Sequence, residues 1–444
     1  MPRIAILFDN FGPYHLARLR AASTACDVLA VEFGSSSAEY DWKASEAAGL
    51  KRVVLNPKGG SHQMSKEEFR LRLDKILNDF HPDAVVVPGW GYHGALLALS
   101  WSLSHRVPAV VMSESTAWDA ERNPIKEWVK SRIVSLFSSA LVGGSPHRAY
   151  MEQLGLPEER IFLGYDAVDN RCFEEAAREI GSRRLEMGET KKPFFLASAR
   201  FIVKKNLFRL LRAYALYRRE ANNAVEGRVS RAKSPGGDAA DCRRQPQRGG
   251  TARGQRVPSI EGTDSDTSTF SLQPSAFDLV LLGDGELRPE LEKLRSELGL
   301  EPCVLMPGFT QYEELPGYYA AAGAFIHAST TEQWGLVVNE AMASGLPVLV
   351  SNRCGCAADL VQDGVNGWTF DPTNEEQIAE LMMRISSDED GRLKMGARSR
   401  EIIAEWGPDR FASGLKSAVD AALKAPRRRA GILNRLILLA MTRR

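Results

Sequence analysis

Cysteine is scarce and scattered in this chain of 444 residues: there are six, and Cys354 and Cys356 form the only close pair. Such spacing carries no disulfide framework, and free buried thiols are expected. A metal site at that pair would need further ligands, and His327 is the sole candidate nearby. An excess of charge is also missing. Lys and Arg number 57 against 56 Asp and Glu, a formal net of +1, so no global field draws the chain to nucleic acid or membrane. No apolar run reaches the roughly 18 residues that span a bilayer. The amino terminus, Met1-Pro2-Arg3-Ile4-Ala5-Ile6, leads straight into a strand without a leader-peptide pattern, and a cytoplasmic protein with no nucleic-acid partner is expected.

What the chain does have is alternation of strands and helices over a length that calls for two or three domains. Apolar runs predict strands at Arg3–Phe8, Val28–Phe33, Lys51–Leu55, Ala84–Pro88, Ala109–Met112 and Ser139–Val142. A second series predicts strands at Phe194–Ser198, Phe277–Leu282, Val304–Met306, Ala324–His327 and Pro347–Ser351. Helical patterns lie between them, among them Tyr14–Thr24, Lys66–Phe80, Gly94–Ser104 and Leu207–Arg219. The expected class is α/β, with two doubly wound Rossmann-like domains facing a cleft, since ligands in such folds bind outside the carboxyl ends of the strands. The expected divisions are 1–175, 176–406 and a crossover helix with a basic tail at 407–444. Residues 221–275, rich in Gly, Ser, Arg, Asp and Pro, cannot bury enough apolar surface to offset their ordering entropy and are expected to form a disordered insertion.

The segment Ala328–Pro372 carries the most specific chemistry. Glu332 and Glu340 stand eight positions apart, with Gly335 between them and an apolar strand after them. A strand end, a glycine turn and a helix start together make an anion site, because the first N–H groups of the helix, at Leu336 and Val337, are unpaired and lie at its positive end. A carboxylate before the turn repels phosphate but accepts hydrogen bonds from sugar hydroxyls. A second carboxylate one turn into the helix can reach a ribose. The segment thus reads as a site for a sugar joined to a nucleoside diphosphate. Upstream, Ser198-Ala199-Arg200-Phe201-Ile202-Val203-Lys204-Lys205-Asn206 follows a strand and precedes a helix. Arg and Lys at that position can stabilise the charge of a departing diphosphate without proton transfer.

These motifs resemble the donor-site signature of retaining GT-B glycosyltransferases, in particular family 4 (glycosyl transferases group 1). Glu332, Glu340, Ala341-Met342-Ala343, Gly345 and Pro347-Val348 stand in the order of that signature. The resemblance implies that Arg200 and Lys205 hold the diphosphate, with Lys204 competing for the lysine role and Ala199 standing where the family has Gly. It also implies that Glu332 orients the sugar and Glu340 the ribose. Gly283-Asp284-Gly285 resembles the family's turn near the nucleotide, and Phe309 lies in the loop that holds the base edge. His93, among Gly89-Trp90-Gly91-Tyr92-His93-Gly94, stands for the His near the donor sugar, with His15 as the alternate. Tyr165-Asp166-Ala167-Val168-Asp169 is a variant of the motif at the domain junction.

The expected activity is transfer of a sugar, with retention, from a nucleoside-diphosphate donor to a hydroxyl acceptor in glycan, polysaccharide or glycolipid synthesis. The alternatives are a sugar-nucleotide epimerase of the same fold and an inactive nucleotide-sugar-binding relative. No essential metal is expected: no Asp-x-Asp motif stands in a fitting place, and Asp264-Ser265-Asp266 falls in the insertion. The acceptor is expected in the first domain, where Gly12 permits close approach after the first strand and Glu114 offers a hydrogen-bond acceptor. The tail from Arg427 through Leu439 to Arg444 is basic and amphipathic. It suits either a helix on an anionic membrane surface or a packed terminal helix. A second such stretch, Lys126–Phe137, is expected as a core helix.

Overall fold

The computed structural model describes residues 1–35, 49–187, 193–232, 276–425 and 431–443. The first domain holds a parallel sheet of β1 (Arg3–Phe8), β2 (Asp27–Gly34), β3 (Lys51–Asn56), β4 (Ala84–Pro88), β5 (Ala109–Ser113), β6 (Ser139–Val142) and β7 (Ile161–Leu163), in the spatial order β3-β2-β1-β4-β5-β6-β7. The second holds β8 (Phe194–Ser198), β9 (Asp278–Leu282), β10 (Val304–Gly308), β11 (Ala324–His327), β12 (Val348–Ser351) and β13 (Gly367–Phe370), ordered β10-β9-β8-β11-β12-β13. All pairings in both are parallel. The central strands β4, β11 and β12 are buried along their whole length, as expected where helices cover both faces of a sheet.

Helices of the first domain are α1 (Pro13–Ala22), α2 (Lys66–Phe80), α3 (His93–His105), α4 (Pro124–Val134) and α5 (Ser145–Gln153). Those that follow are α6 (Asn170–Met187), α7 (Leu207–Ala232), α8 (Arg288–Glu297), α9 (Leu315–Ala321), α10 (Leu336–Ala343), α11 (Ala357–Leu360), α12 (Glu375–Ser387) and α13 (Glu389–Ala404). The last two are α14 (Pro408–Lys424) and α15 (Ile432–Arg443).

Three expectations change. First, α6 belongs to the second domain, so the junction lies near residue 170 and not 175: α6 packs on α9 and α10, and Phe173 is buried against Tyr312 and Tyr319. Second, residues 221–232 are not part of an unstructured insertion. They extend α7, because this stretch contains no proline and the first Pro-Gly-Gly punctuation comes only at Pro235. The remainder of the expected insertion, 233–275, including Asp264 and Asp266, lies outside the described residues. Third, the stretch Lys126–Phe137 is a core helix only in its second half: Ile133, Val134, Leu136 and Phe137 are buried in the first domain's core, whereas Trp128 is 45% exposed, as is Ile125 just before it at 74%.

The crossover is present. α14 packs on α1, β6 and β7 of the first domain, and Ser139 Oγ donates to the carbonyl of Ala418 at 2.7 Å. Gly414 makes the approach possible, since a Cβ there would stand 2.3 Å from the Leu163 carbonyl oxygen. α15 packs on α3 and α4 through Leu438.

Candidate donor-site cleft

Three loops at the carboxyl ends of β8, β11 and β12 meet in the second domain. The Thr330 N–H donates to the Lys204 carbonyl at 2.9 Å, Glu332 N–H to Arg353 at 3.2 Å and Gly355 N–H to Glu332 at 3.1 Å. Asn206, with a left-handed φ of 59°, closes the turn after Lys205. Its Nδ2 donates to the carbonyls of Ala328 (3.0 Å) and Pro372 (2.7 Å). Gly283 and Gly285 have a steric role here: a Cβ on Gly283 would lie 1.9 Å from the Ala199 carbonyl oxygen, and one on Gly285 2.8 Å from that of Phe201. Their bare backbones seat the Arg200 loop.

Within this frame the Lys205 ammonium pairs with Glu332 Oε2. His327 Nε2 lies 3.3 Å from the same oxygen, and Ser329 Oγ 3.2 Å from that nitrogen. Burial opposes ionisation of Glu332, but the His327 hydrogen bond and the Lys205 charge prevail and hold its carboxyl well below the usual range. Burial also lowers the pKa of His327, so it donates as a neutral imidazole. Of the two lysines, Lys205 is the one that meets the motif carboxylate. Gly335, at a φ of 103°, caps α10 with no side chain, so the amides of Leu336 and Val337 open that helix. Phe309 follows β10 and is 46% exposed.

Glu340 is fully buried on α10, and Tyr14 of the first domain donates to its Oε1 at 2.5 Å. Burial pushes this carboxyl up to about 7, against the pull of the Tyr14 and Tyr319 hydroxyls. The two motif glutamates thus sit in opposite states: one fixed as an anion by a cation, the other enclosed among phenols.

In the first domain the loop after β1 is anchored by a residue that sequence reasoning missed. Glu32 accepts from Phe11 N (2.7 Å), Asn10 Nδ2 (3.1 Å) and Arg52 (2.5 Å). A carboxylate inside the apolar run Asp27–Gly34 was its only signal. Gly12 caps α1, and its N–H donates to His15 Nδ1 at 3.1 Å. Burial, with the nearby Arg18, lowers His15 to about 3, so His15 is a neutral helix-capping ring. His93 opens α3 and packs on Phe69; burial lowers its pKa as well. Glu114, at the end of β5, faces the buried Asp166. Burial raises both, and Arg18 Nη2 stands 3.7 Å from Asp166 Oδ1. Glu332 and Lys204 of the second domain also act on Glu114. Among the described residues no group of three or more His, Cys, Asp or Glu is placed to hold a metal ion, and Cys354 and Cys356 are free buried thiols.

Two doubly wound parallel domains facing a cleft make the GT-B fold. Residues 271–402 match the family model for glycosyl transferases group 1. Over 145 residues it is 32% identical to the GDP-mannose-dependent alpha-(1-6)-phosphatidylinositol monomannoside mannosyltransferase of Mycobacterium tuberculosis, a stretch covering 31% of this chain and 37% of the relative. It is 30% identical to the D-inositol 3-phosphate glycosyltransferase of Xylanimonas cellulosilytica over 178 residues, 39% of this chain and 42% of that one. The chain thus aligns with less than half the length of either relative. The fold extends further. HepE of Anabaena, solved in complex with UDP, superposes with a TM-score of 0.63 at 17% identity, covering 93% of this chain and 98% of that one. Sucrose-phosphate synthase of Thermosynechococcus elongatus gives 0.64 at 16% identity, over 94% and 97%.

Proposed function

We propose that the protein transfers a sugar, with retention of configuration, from a nucleoside-diphosphate donor to a hydroxyl acceptor bound by the first domain. The observation that carries this reading is the Lys205–Glu332–His327 cluster beside the glycine-capped start of α10. It places a cation and helix amides next to an ionised carboxylate, which suits a diphosphate next to a sugar. In this reading Arg200, Lys205 and the Leu336 and Val337 amides carry the charge that builds on the leaving diphosphate. Glu332 holds the sugar hydroxyls and Glu340 the ribose. The departing phosphate oxygen takes the acceptor proton on the same face, and the two basic side chains do the work that a metal does elsewhere. His93 lines the sugar side, Phe309 the base, and Gly283 and Gly285 support the diphosphate loop. UDP in the HepE structure and GDP-mannose in the mycobacterial relative's name support a nucleotide-sugar donor.

The reading extends to a peripheral position on an anionic membrane surface, with a glycan or lipid acceptor. α15 carries Ile432, Leu433, Leu436 and Leu439 exposed, beside Arg435, and packs on α4, whose Ile125 and Trp128 are exposed as well. Incubation with UDP-, GDP- and ADP-sugars and a panel of hydroxyl acceptors tests the chemistry. Proton NMR should show a product with the donor's anomeric configuration, and Lys205→Met should slow turnover by at least about 100-fold. An inverted product, or free nucleotide and sugar formed without any acceptor, would replace this reading.

A further inference from the structure

The carboxylate assigned to the ribose is already occupied by another part of the chain. Tyr14 lies at the start of α1 and Glu340 on α10, 326 positions apart and in different domains, yet their side chains share a 2.5 Å hydrogen bond. Glu340 has no surface exposure. Aromatic rings close the space around it. Tyr14 meets Tyr312 edge-on at 5.5 Å, Tyr312 meets Phe173 at 6.0 Å, and Phe173 meets Tyr319 at 5.6 Å. A ribose diol therefore cannot reach Glu340 while every neighbour stays in place. Phe173, Tyr312 and Tyr319 belong to the same domain as Glu340 and move with it. Tyr14 alone among these rings comes from the facing domain, so opening of the cleft withdraws it.

We propose that Tyr14 gates the donor site: its phenol takes the place of a ribose hydroxyl on Glu340 in the nucleotide-free protein, and nucleotide binding exchanges one hydroxyl for the other. This rests on the reading of Glu340 as the ribose residue. The gate couples cleft opening to nucleotide entry, because the same bond holds the two domains together and blocks the carboxylate. A binding-competent state that is only a fraction of the population lowers apparent affinity by that fraction. Removal of the phenol oxygen alone, with the ring and its packing kept, should lift that penalty.

Isothermal titration of the full chain with UDP, GDP and ADP, with association rates from stopped flow, tests the gate in wild type, Tyr14→Phe and Glu340→Gln. For the nucleotide that binds, Tyr14→Phe should bind about tenfold tighter, through a faster association rate and an unchanged dissociation rate. Glu340→Gln should bind more weakly than wild type. Equal affinity in wild type and Tyr14→Phe would overturn the gate and leave the donor site standing. Weaker binding by Tyr14→Phe would overturn it too, making Tyr14 a direct ligand of the nucleotide. If none of the three nucleotides binds any of the proteins, the donor-site reading fails and the gate falls with it.

Discussion

Glu332 and Glu340 are the same residue type, eight positions apart, and the fold drives their acidities in opposite directions. Glu332 has Lys205 and His327 against one oxygen. Glu340 has only phenols, and burial holds its carboxyl near 7. The consequence for stability follows from linkage. The unfolded chain releases the Glu340 proton near 4.5, whereas the folded chain keeps it to about 7. Folding is therefore favoured by this residue below pH 4.5, and the benefit is lost progressively as pH rises to 7. Glu340→Gln has no such titration. The unfolding free energy of the variant relative to wild type should increase by about 3 kcal/mol between pH 4.5 and pH 7.5, as measured by urea denaturation at several pH values. No change in that difference across the interval would show that Glu340 is not an enclosed carboxyl. The chemistry at this scale was only partly legible in sequence. Spacing singled out both glutamates, but the partners that set their states, Lys205 127 residues away and Tyr14 326 residues away, come together only through the fold. His327, legible only as a lone metal-ligand candidate, proves to be a hydrogen-bond donor to Glu332.

Among the elements, α15 has two unlike sides. Leu438 is buried against the first domain's core, with Ile437 and Met441 packed beside it, while Leu436 is 57% exposed. Leu438→Ala should lower the unfolding free energy by about 2–4 kcal/mol. Leu436→Asp should change it by less than about 0.5 kcal/mol yet reduce sedimentation with vesicles of anionic lipid. Equal sedimentation of wild type and Leu436→Asp would remove the membrane reading of this face. Both sides of this helix were open from sequence, because an amphipathic pattern shows that an apolar stripe exists but not which residues find a partner. The same limit explains the strands. Arg3–Phe8, Ala84–Pro88, Ser139–Val142, Phe194–Ser198 and Ala324–His327 stand where their apolar runs predict them. β7 and β13, at the sheet edges, were missed because neither carries a run of buried apolar residues: β7 is buried only at Ile161, and β13 only at Gly367 and Phe370. α6 was divided between domains because its amphipathic pattern does not reveal which sheet's helices receive Phe173.

Over the whole molecule, links of different chemistry among the described residues join the two domains. α14 returns to the first domain and covers β6 and β7. On α5, Ser145 donates through N–H (2.9 Å) and Oγ (2.5 Å) to Asp359, and the His147 ring meets the Gln333 carbonyl at 2.9 Å. The third link, Tyr14 to Glu340, lies at the carboxylate proposed to hold the ribose. If the proposed site is right, a ligand that bridges the loops of Arg200, Lys205 and Gly335 should stabilise the folded protein by mass action. The most direct test of that claim is a thermal-unfolding series with UDP-, GDP- and ADP-sugars on wild type, Arg200→Ala and Glu332→Ala. One class of nucleotide sugar should raise the midpoint of the wild type, and both variants should lose the rise. A wild-type midpoint that no nucleotide sugar moves, or a rise that survives both substitutions, would contradict the donor site placed here.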